Sequence, residues 1–327
     1  MAFEVSGLTA YVEENENMLV TSSLFEATTQ KLILSQGNVM TGVKGSETIN
    51  RMDTDVIFQD DSSCGFNASG TTEFTQRTLT VGKIKSDEQL CPKTLEGVYL
   101  QKALPAGSNY DSIIFASDYT ARKAGKIAEA LEVAIWQAST AGGSGSNGLL
   151  NKFDGIKRLI TVAAGTVVNA NAAAYYTGAP ETTIDTATKA KNAVLAVIKA
   201  LPVRIQGKDD VRIFVGFNVY NLLVQAYVDA NLFHYPPGVA ANDFNSEFVV
   251  PGYNYRVVPV HGLDTAAADA AIYAFRMSNI YLGTDLQGEE DKFEMWYSQD
   301  DRVVKFHVSF KMGVQFAFMD EIVKFEA

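Results

Sequence analysis

From Val304 to Phe318 every even position is apolar, and this run constrains the fold more than any other stretch of the chain. The even set is Val304, Phe306, Val308, Phe310, Met312, Val314, Phe316 and Phe318, and between them stand Lys305, His307, Ser309, Lys311, Gly313, Gln315 and Ala317. A period of two sends alternate side chains to opposite faces, so the segment is a strand with one buried face. Fully extended it would reach roughly 50 Å at about 3.3 Å per residue, whereas an ordinary strand has about 5–6 residues. Gly313 is the place for a bulge or a break, because glycine weakens strand pairing. Such a strand suits a long flat layer, and a structural role before a catalytic one.

The bulk properties narrow the class. At 327 residues the chain makes one large domain or two ordinary ones, and 47% hydrophobic residues give ample surface to bury. No stretch approaches the roughly 18 apolar residues of a membrane span, so no membrane partner is expected. The opening MAFEVSGLTAYVEENEN has no basic region followed by an apolar run, so no signal peptide is expected either. Cys64 and Cys91 are too few and too far apart for a disulfide framework or a metal knuckle. Folding in a reducing cytosol follows, and the Asn67-Ala68-Ser69 sequon then meets no glycosylation machinery. Asp and Glu number 38 against 27 Lys and Arg, a net charge of −11. That balance favours solubility and disfavours wrapping nucleic acid over the whole surface, which needs cations to displace counterions.

Along the chain, Ser23 and Glu26 have capping-box spacing ahead of a short helix over about 24–35 that ends at Gly37. Residues 59–90 are polar but hold strand formers, Phe74, Arg77 to Val81 and Lys83 to Lys85. They predict a long hairpin, with strands at about 55–59 and 72–84, that has little core of its own and must lie on another surface. Residues 111–140 carry Ala124, Ile127, Ala128, Leu131, Ala134 and Ile135 at helical spacing, and Gly142–Gly148 breaks that helix. A second helical face runs from Ala190 to Leu201 and closes at Pro202. Val211–Val215 reads as a buried strand, with Asn218 capping a helix that turns Tyr220, Leu223, Val224 and Tyr227 inward. Strands at 255–260, 271–275 and 293–297 join the terminal strand in a mainly antiparallel sheet. There is no internal repeat.

The motifs for chemistry are thin. Gly142–Gly148 lacks the Gly-Lys-Ser/Thr of a phosphate loop, and reads as a connector. His234, His261 and His307 have no helical zinc spacing. Glu289, Glu290, Asp291, Asp300 and Asp301 read as solvated turns before they read as a calcium site or an acid pair. Cys91 precedes Pro92 without a nearby activating histidine and reads as a buried structural thiol, and no nucleophile elbow occurs. No catalytic residue, metal or cofactor is expected.

The order of segments is a polar arm, a β-hairpin, a long helix, a glycine break, an α/β unit and a closing sheet. It resembles the major capsid proteins of tailed bacteriophages, with the Hong Kong 97-type fold. Val43 to Asn50 followed by Asp55 to Asp60 is similar to the arm-to-hairpin passage in phages of Bacteroidetes-type hosts. Thr71 to Val81, Leu90-Cys91-Pro92 and Leu95 to Leu100 resemble the hairpin's return. Asp210–Tyr220 (DVRIFVGFNVY) resembles the strand-to-helix step of the axial domain, and Trp296 through Phe325 the peripheral strands.

The resemblance implies an α+β fold with an N-terminal arm (1–50), an extended β-hairpin loop (51–104) and a peripheral domain with a long spine helix (105–184). An axial α/β domain (185–262) and antiparallel peripheral and axial strands (263–327) complete it. It implies self-assembly into hexameric and pentameric capsomers of an icosahedral shell around dsDNA, built in the host bacterial cytoplasm without sequence-specific DNA contacts. Portal, scaffold and decoration proteins are the implied partners. Interfaces of this kind bury about 2,000–5,000 Å², and Phe66, Phe74, Leu79 and Val81 are the hairpin residues implied to touch neighbouring subunits. Some family members begin with a scaffolding segment that is later removed. Here the arm starts almost at Met1, so a separate scaffold or an already mature sequence is expected. The lysine–asparagine crosslink of some members has no counterpart that can be placed on this chain. An encapsulin-type nanocompartment shell, an α/β hydrolase-like or sugar-active enzyme, and a tail or other virion protein stay open as alternatives.

Overall fold

The computed structural model describes residues 28–36, 38–60, 65–66, 68–91, 112–141, 151–176, 180–230, 248–264, 269–285 and 292–327. In chain order the elements are α1 (Thr28–Ser35), β1 (Val39–Thr41), β2 (Ser46–Thr54), β3 (Thr72–Thr80), β4 (Gly82–Leu90) and α2 (Ser112–Gln137). Next come α3 (Ile156–Val162), β5 (Val168–Asn169), α4 (Ala187–Lys199), β6 (Val211–Val215), α5 (Phe217–Asp229), β7 (Phe248–Val249) and β8 (Arg256–Pro259). The chain closes with β9 (Ala271–Arg276), β10 (Ile280–Thr284), β11 (Lys292–Ser298), β12 (Val303–Phe316) and β13 (Val323–Glu326).

The alternating run is one continuous strand, β12, of 14 residues. Its length lets it serve several partners. Met312 pairs with both Gly82 and Thr284, so β4 and β10 lie on opposite edges, and β11 follows β10 along the same edge. From Val304 to Phe316 the even side chains are buried under α2 and α3, as the period requires. The second face departs from expectation, because Lys311 and Gly313 are buried too. Lys311 Nζ is 2.9 Å from Asp285 Oδ2, and both side chains are buried.

Gly313 neither bulges nor breaks β12. It stands directly across from Gly283, and this glycine pair makes a notch in the sheet. The root of the hairpin lies in the notch. A Cβ on Gly313 would sit 2.2 Å from the Thr80 carbonyl oxygen, and one on Gly283 would sit 2.7 Å from Leu79 Cδ2. Close backbone approach, rather than unusual backbone angles, is what these glycines provide.

A second sheet runs β5-β13-β9-β6-β8-β7. Its central strands are apolar on both faces, because both are covered. Ile213, Val215, Ile272 and Ala274 pack with Val194, Val197 and Leu223 of α4 and α5. Phe214, Tyr273 and Phe275 point the other way, onto Trp136 of α2, with ring centroids 5.2 to 6.3 Å from it. The long helix is therefore the shared wall of both layers. Beside it, Thr29 donates from its backbone N–H and its hydroxyl to Glu132, at 3.1 and 2.5 Å. Trp136 Nε1 in turn donates to Thr29 Oγ1 at 2.9 Å.

Several expectations are corrected. The first hairpin strand is Ser46–Thr54, while residues 55–60 have no regular structure. The β-formers Val56, Ile57 and Phe58 suggested pairing there, but the ladder is set by positions such as Ile49 and Arg51 that touch the body. The stretch 72–84 divides at Val81, since β3 stays with β2 while β4 crosses to β12. The strands of 255–260 and 271–275 belong to one sheet and those of 293–297 and 303–316 to the other. Among the described residues three pairings, β6–β8, β5–β13 and β1–β10, are parallel. Alternation identifies a strand but not its partner. Gly216 takes the N-cap of α5 in place of Asn218, and the N–H of Phe217 is satisfied from a distance by Asp264 Oδ1 at 2.5 Å. Tyr220 and Val224 are half-buried on that helix. Cys91 is exposed at the end of β4 and not buried. The capping box at 23–26 and the glycine run at 142–148 lie outside the described residues.

Candidate interaction surface: the protruding hairpin

Nine consecutive cross-strand pairs join β2 to β3, from Ser46–Thr80 at the root to Thr54–Thr72 at the far end. Directly paired side chains share a face. One face, Glu47 to Asp53 with Leu79 to Glu73, turns toward the body at its root. There Ile49, Leu79 and Ala317 form a small apolar cluster. Arg51 continues the anchor, its guanidinium 4.7 Å from the centre of the Phe318 ring and 3.9 Å from Asp320. Arg204 bridges the same gap, 2.9 Å from Asp320 and 3.5 Å from Asp53.

Among the described residues, the other face and the far end have no such cover. Met52 pairs with Phe74 on the outward face, flanked by Asn50 and Gln76, whose amides bond at 3.0 Å. Phe74 is 77% exposed, Phe58 95% and Phe66 98%, and Met52, Val56 and Ile57 are exposed beside them. Apolar side chains concentrated on a projecting element mark a surface that another molecule covers.

The four residues expected to touch neighbours separate into two pairs. Phe66 and Phe74 stand in solvent. Leu79 is 0% exposed and Val81 8%, both spent inside the protomer on the glycine notch. This takes them off the outer surface, and the exposed set gains Phe58, Ile57 and Met52, which alternation alone would not single out. The signal that could have found them is the apolar run Val56-Ile57-Phe58 set in an otherwise polar stretch.

The candidates for chemistry disperse. Among the described residues no group of three His, Cys, Asp or Glu side chains could hold a metal ion, and no helix is long and apolar enough to cross a membrane. His261 Nδ1 bonds Asp264 at 2.9 Å, and His307 bonds Asp87 across the β4–β12 pair. Lys85 and His307 together hold the Asp87 carboxyl below its ordinary range. Asp301 is held low by Lys305 and Ser298 in the β11–β12 turn. His234 and Glu289 to Asp291 lie outside the described residues.

No family model and no curated protein matches this chain. Solved structures do. A chain from the capsid of an empty GTA particle is 13% identical, with 90% of this chain and 88% of that one aligned at a TM-score of 0.54. A chain of the satellite phage P4 procapsid including size determination (Sid) protein is 12% identical over 94% of this chain and 98% of that one, also at 0.54. For the capsid of Myoviridae phage XM1 the figures are 12%, 90%, 92% and 0.51. At such identities the likeness defines the fold. The chain has the mixed helix-and-sheet fold of these capsid chains almost end to end, in agreement with the Hong Kong 97-type expectation.

Proposed function

We propose that this chain is the major capsid protein of a tailed bacteriophage, assembling into hexamers and pentamers of an icosahedral shell around dsDNA. The observation that carries this reading is the β2–β3 hairpin, which is fixed rigidly at its root and apolar at its uncovered end. A two-stranded ribbon is marginal by itself, so Phe58, Phe66 and Phe74 gain their burial from a neighbouring subunit. The capsid chains that share the fold support the choice of a shell over a ring or tube. In this reading residues 1–50 form the arm, 51–104 the extended loop, 105–184 the peripheral domain, 185–262 the axial domain and 263–327 the closing strands. The hairpin's first strand already begins at Ser46, so the loop's root reaches back into the arm. The role is structural and not catalytic. Portal, scaffold and decoration proteins are its further partners, assembly takes place in the host cytoplasm, and the virion capsid is its destination.

The test is sedimentation of the wild-type chain beside the triple variant Phe58→Ser, Phe66→Ser, Phe74→Ser, each alone and co-expressed with its gene neighbours. The wild type forms particles far larger than the 35.5 kDa chain, while the variant stays small with an unchanged unfolding midpoint. Equal assembly of both refutes the hairpin's role, and a wild type that stays a single chain under every condition refutes the shell.

A further inference from the structure

Beside the hairpin, near the end of β12, lies an open cleft of about 410 Å³, lined by Arg51, Thr75, Gln76, Arg77, Thr78 and Gln315. Arg51 is paired with Thr75 and Arg77 with Ile49, so the two guanidiniums project from one face, one step apart on the ladder. Like charges so placed repel each other. Arg51 has carboxylates near it, but at 3.9 Å, and Arg204 shares both of them. Among the described residues its buried Nε has no hydrogen-bond partner. Arg77 makes no ion pair among the described residues, although Glu47 and Glu73 lie on the same face by register. Burial and the charge of Arg51 both lower its pKa. Gln315 is held at the cleft floor by its bond to the Thr78 carbonyl at 2.9 Å. The cleft is thus a pair of forked donors beside a threonine hydroxyl, with one fork unused.

We infer that this cleft is a subsite for a carboxylate side chain supplied by a second copy of the chain. The inference rests on the assembly reading above. A guanidinium fork matches a carboxylate in two parallel hydrogen bonds, and an anion between Arg51 and Arg77 removes their repulsion. A second copy is the favoured source because its charge of −11 presents a surplus of carboxylates.

The experiment measures the concentration at which particles form for the wild type, Arg77→Gln, Arg77→Glu and Arg77→Lys. The urea midpoint of each unassembled chain is measured alongside, and the wild-type particle is imaged at side-chain resolution. Arg77→Gln raises the assembly concentration about tenfold and Arg77→Glu more, while Arg77→Lys falls between. Midpoints stay unchanged, and a partner's carboxylate stands within ion-pair distance of Arg77. The inference is overturned if Arg77→Gln assembles at the wild-type concentration, or if nucleic-acid phosphate or an adventitious ion only fills the cleft. A wild type that never assembles removes the shell reading and this subsite with it, whereas wild-type particles with normal Arg77→Gln assembly remove the subsite alone.

Discussion

Replacing Gly313 with alanine puts a methyl group where the hairpin root now lies. The new Cβ would be 2.2 Å from the Thr80 carbonyl oxygen, 3.0 Å from its carbon and 3.1 Å from Val81 Cα, all of them backbone atoms. Relief requires the hairpin to rise by roughly 1 Å, because ordinary contacts lie near 3.5 Å or beyond. Overpacking of this kind costs about 1–3 kcal/mol, and a backbone obstacle belongs at the upper end. The loss is local, since β2 and β3 can lift while both cores stay packed. At about 2–3 kcal/mol, amide exchange across β3 accelerates roughly 30- to 150-fold, with little change in α4 or β6. Gly283→Ala is milder, because its new Cβ meets the side-chain ends of Leu79 at 2.7 Å and Val81 at 3.0 Å, which can turn aside. Gly45→Ala meets nothing within 4 Å and serves as the control. The expected order of exchange in β3 is Gly313→Ala fastest, then Gly283→Ala, then Gly45→Ala with the wild type. A Gly313→Ala chain that exchanges like the wild type refutes the notch as the hairpin's anchor.

Two further perturbations probe buried charge. Burial raises the pKa of Glu132, against the bonds from Thr29, the nearby indole N–H of Trp136 and the charge of His261, which lower it. Between the unfolded and the raised folded pKa the native state holds the extra proton, so stability falls as pH rises through that window. Glu132→Gln removes this slope: urea midpoints at several pH values should shift in favour of the variant as pH rises, and parallel curves would contradict the assignment. Asp285→Ala removes the carboxylate 2.9 Å from the buried Lys311 ammonium, at a cost of about 1.5–3 kcal/mol for a lost charged hydrogen bond, read as a lowered urea midpoint. A midpoint within experimental error of the wild type would mean that Lys311 reaches water or another anion.

The parts of the fold legible in the sequence are those with a long, regular period. The alternation of β12 up to Phe310 and the helical spacing of Leu131, Ala134 and Ile135 survive, because one buried face dictates them, while from Lys311 to Val314 both faces of β12 are buried. What the period does not carry is pairing. β8 and β11 look alike as apolar strands, yet they lie in different sheets. Gly313 is ambiguous in sequence, since weakness in a ladder and a space for a neighbour call for the same residue. Leu79 and Val81 looked equivalent to Phe74 because strand-forming residues do not reveal where a ribbon leaves its support. The notch ends at Val81, and beyond Ile49 and Leu79 the ribbon rests on arginines instead of apolar side chains. The Arg51–Arg77 juxtaposition exists only once the register is known.

The most direct test of the central claim is electron microscopy of purified wild-type particles, with their nucleic acid assayed after nuclease treatment of the exterior. Closed icosahedral shells built of six- and five-fold capsomers, holding protected dsDNA when co-produced with the packaging partners, are the predicted result. Shells enclosing a protein cargo instead would make the chain a nanocompartment shell, and a monodisperse single chain under all conditions would contradict the account.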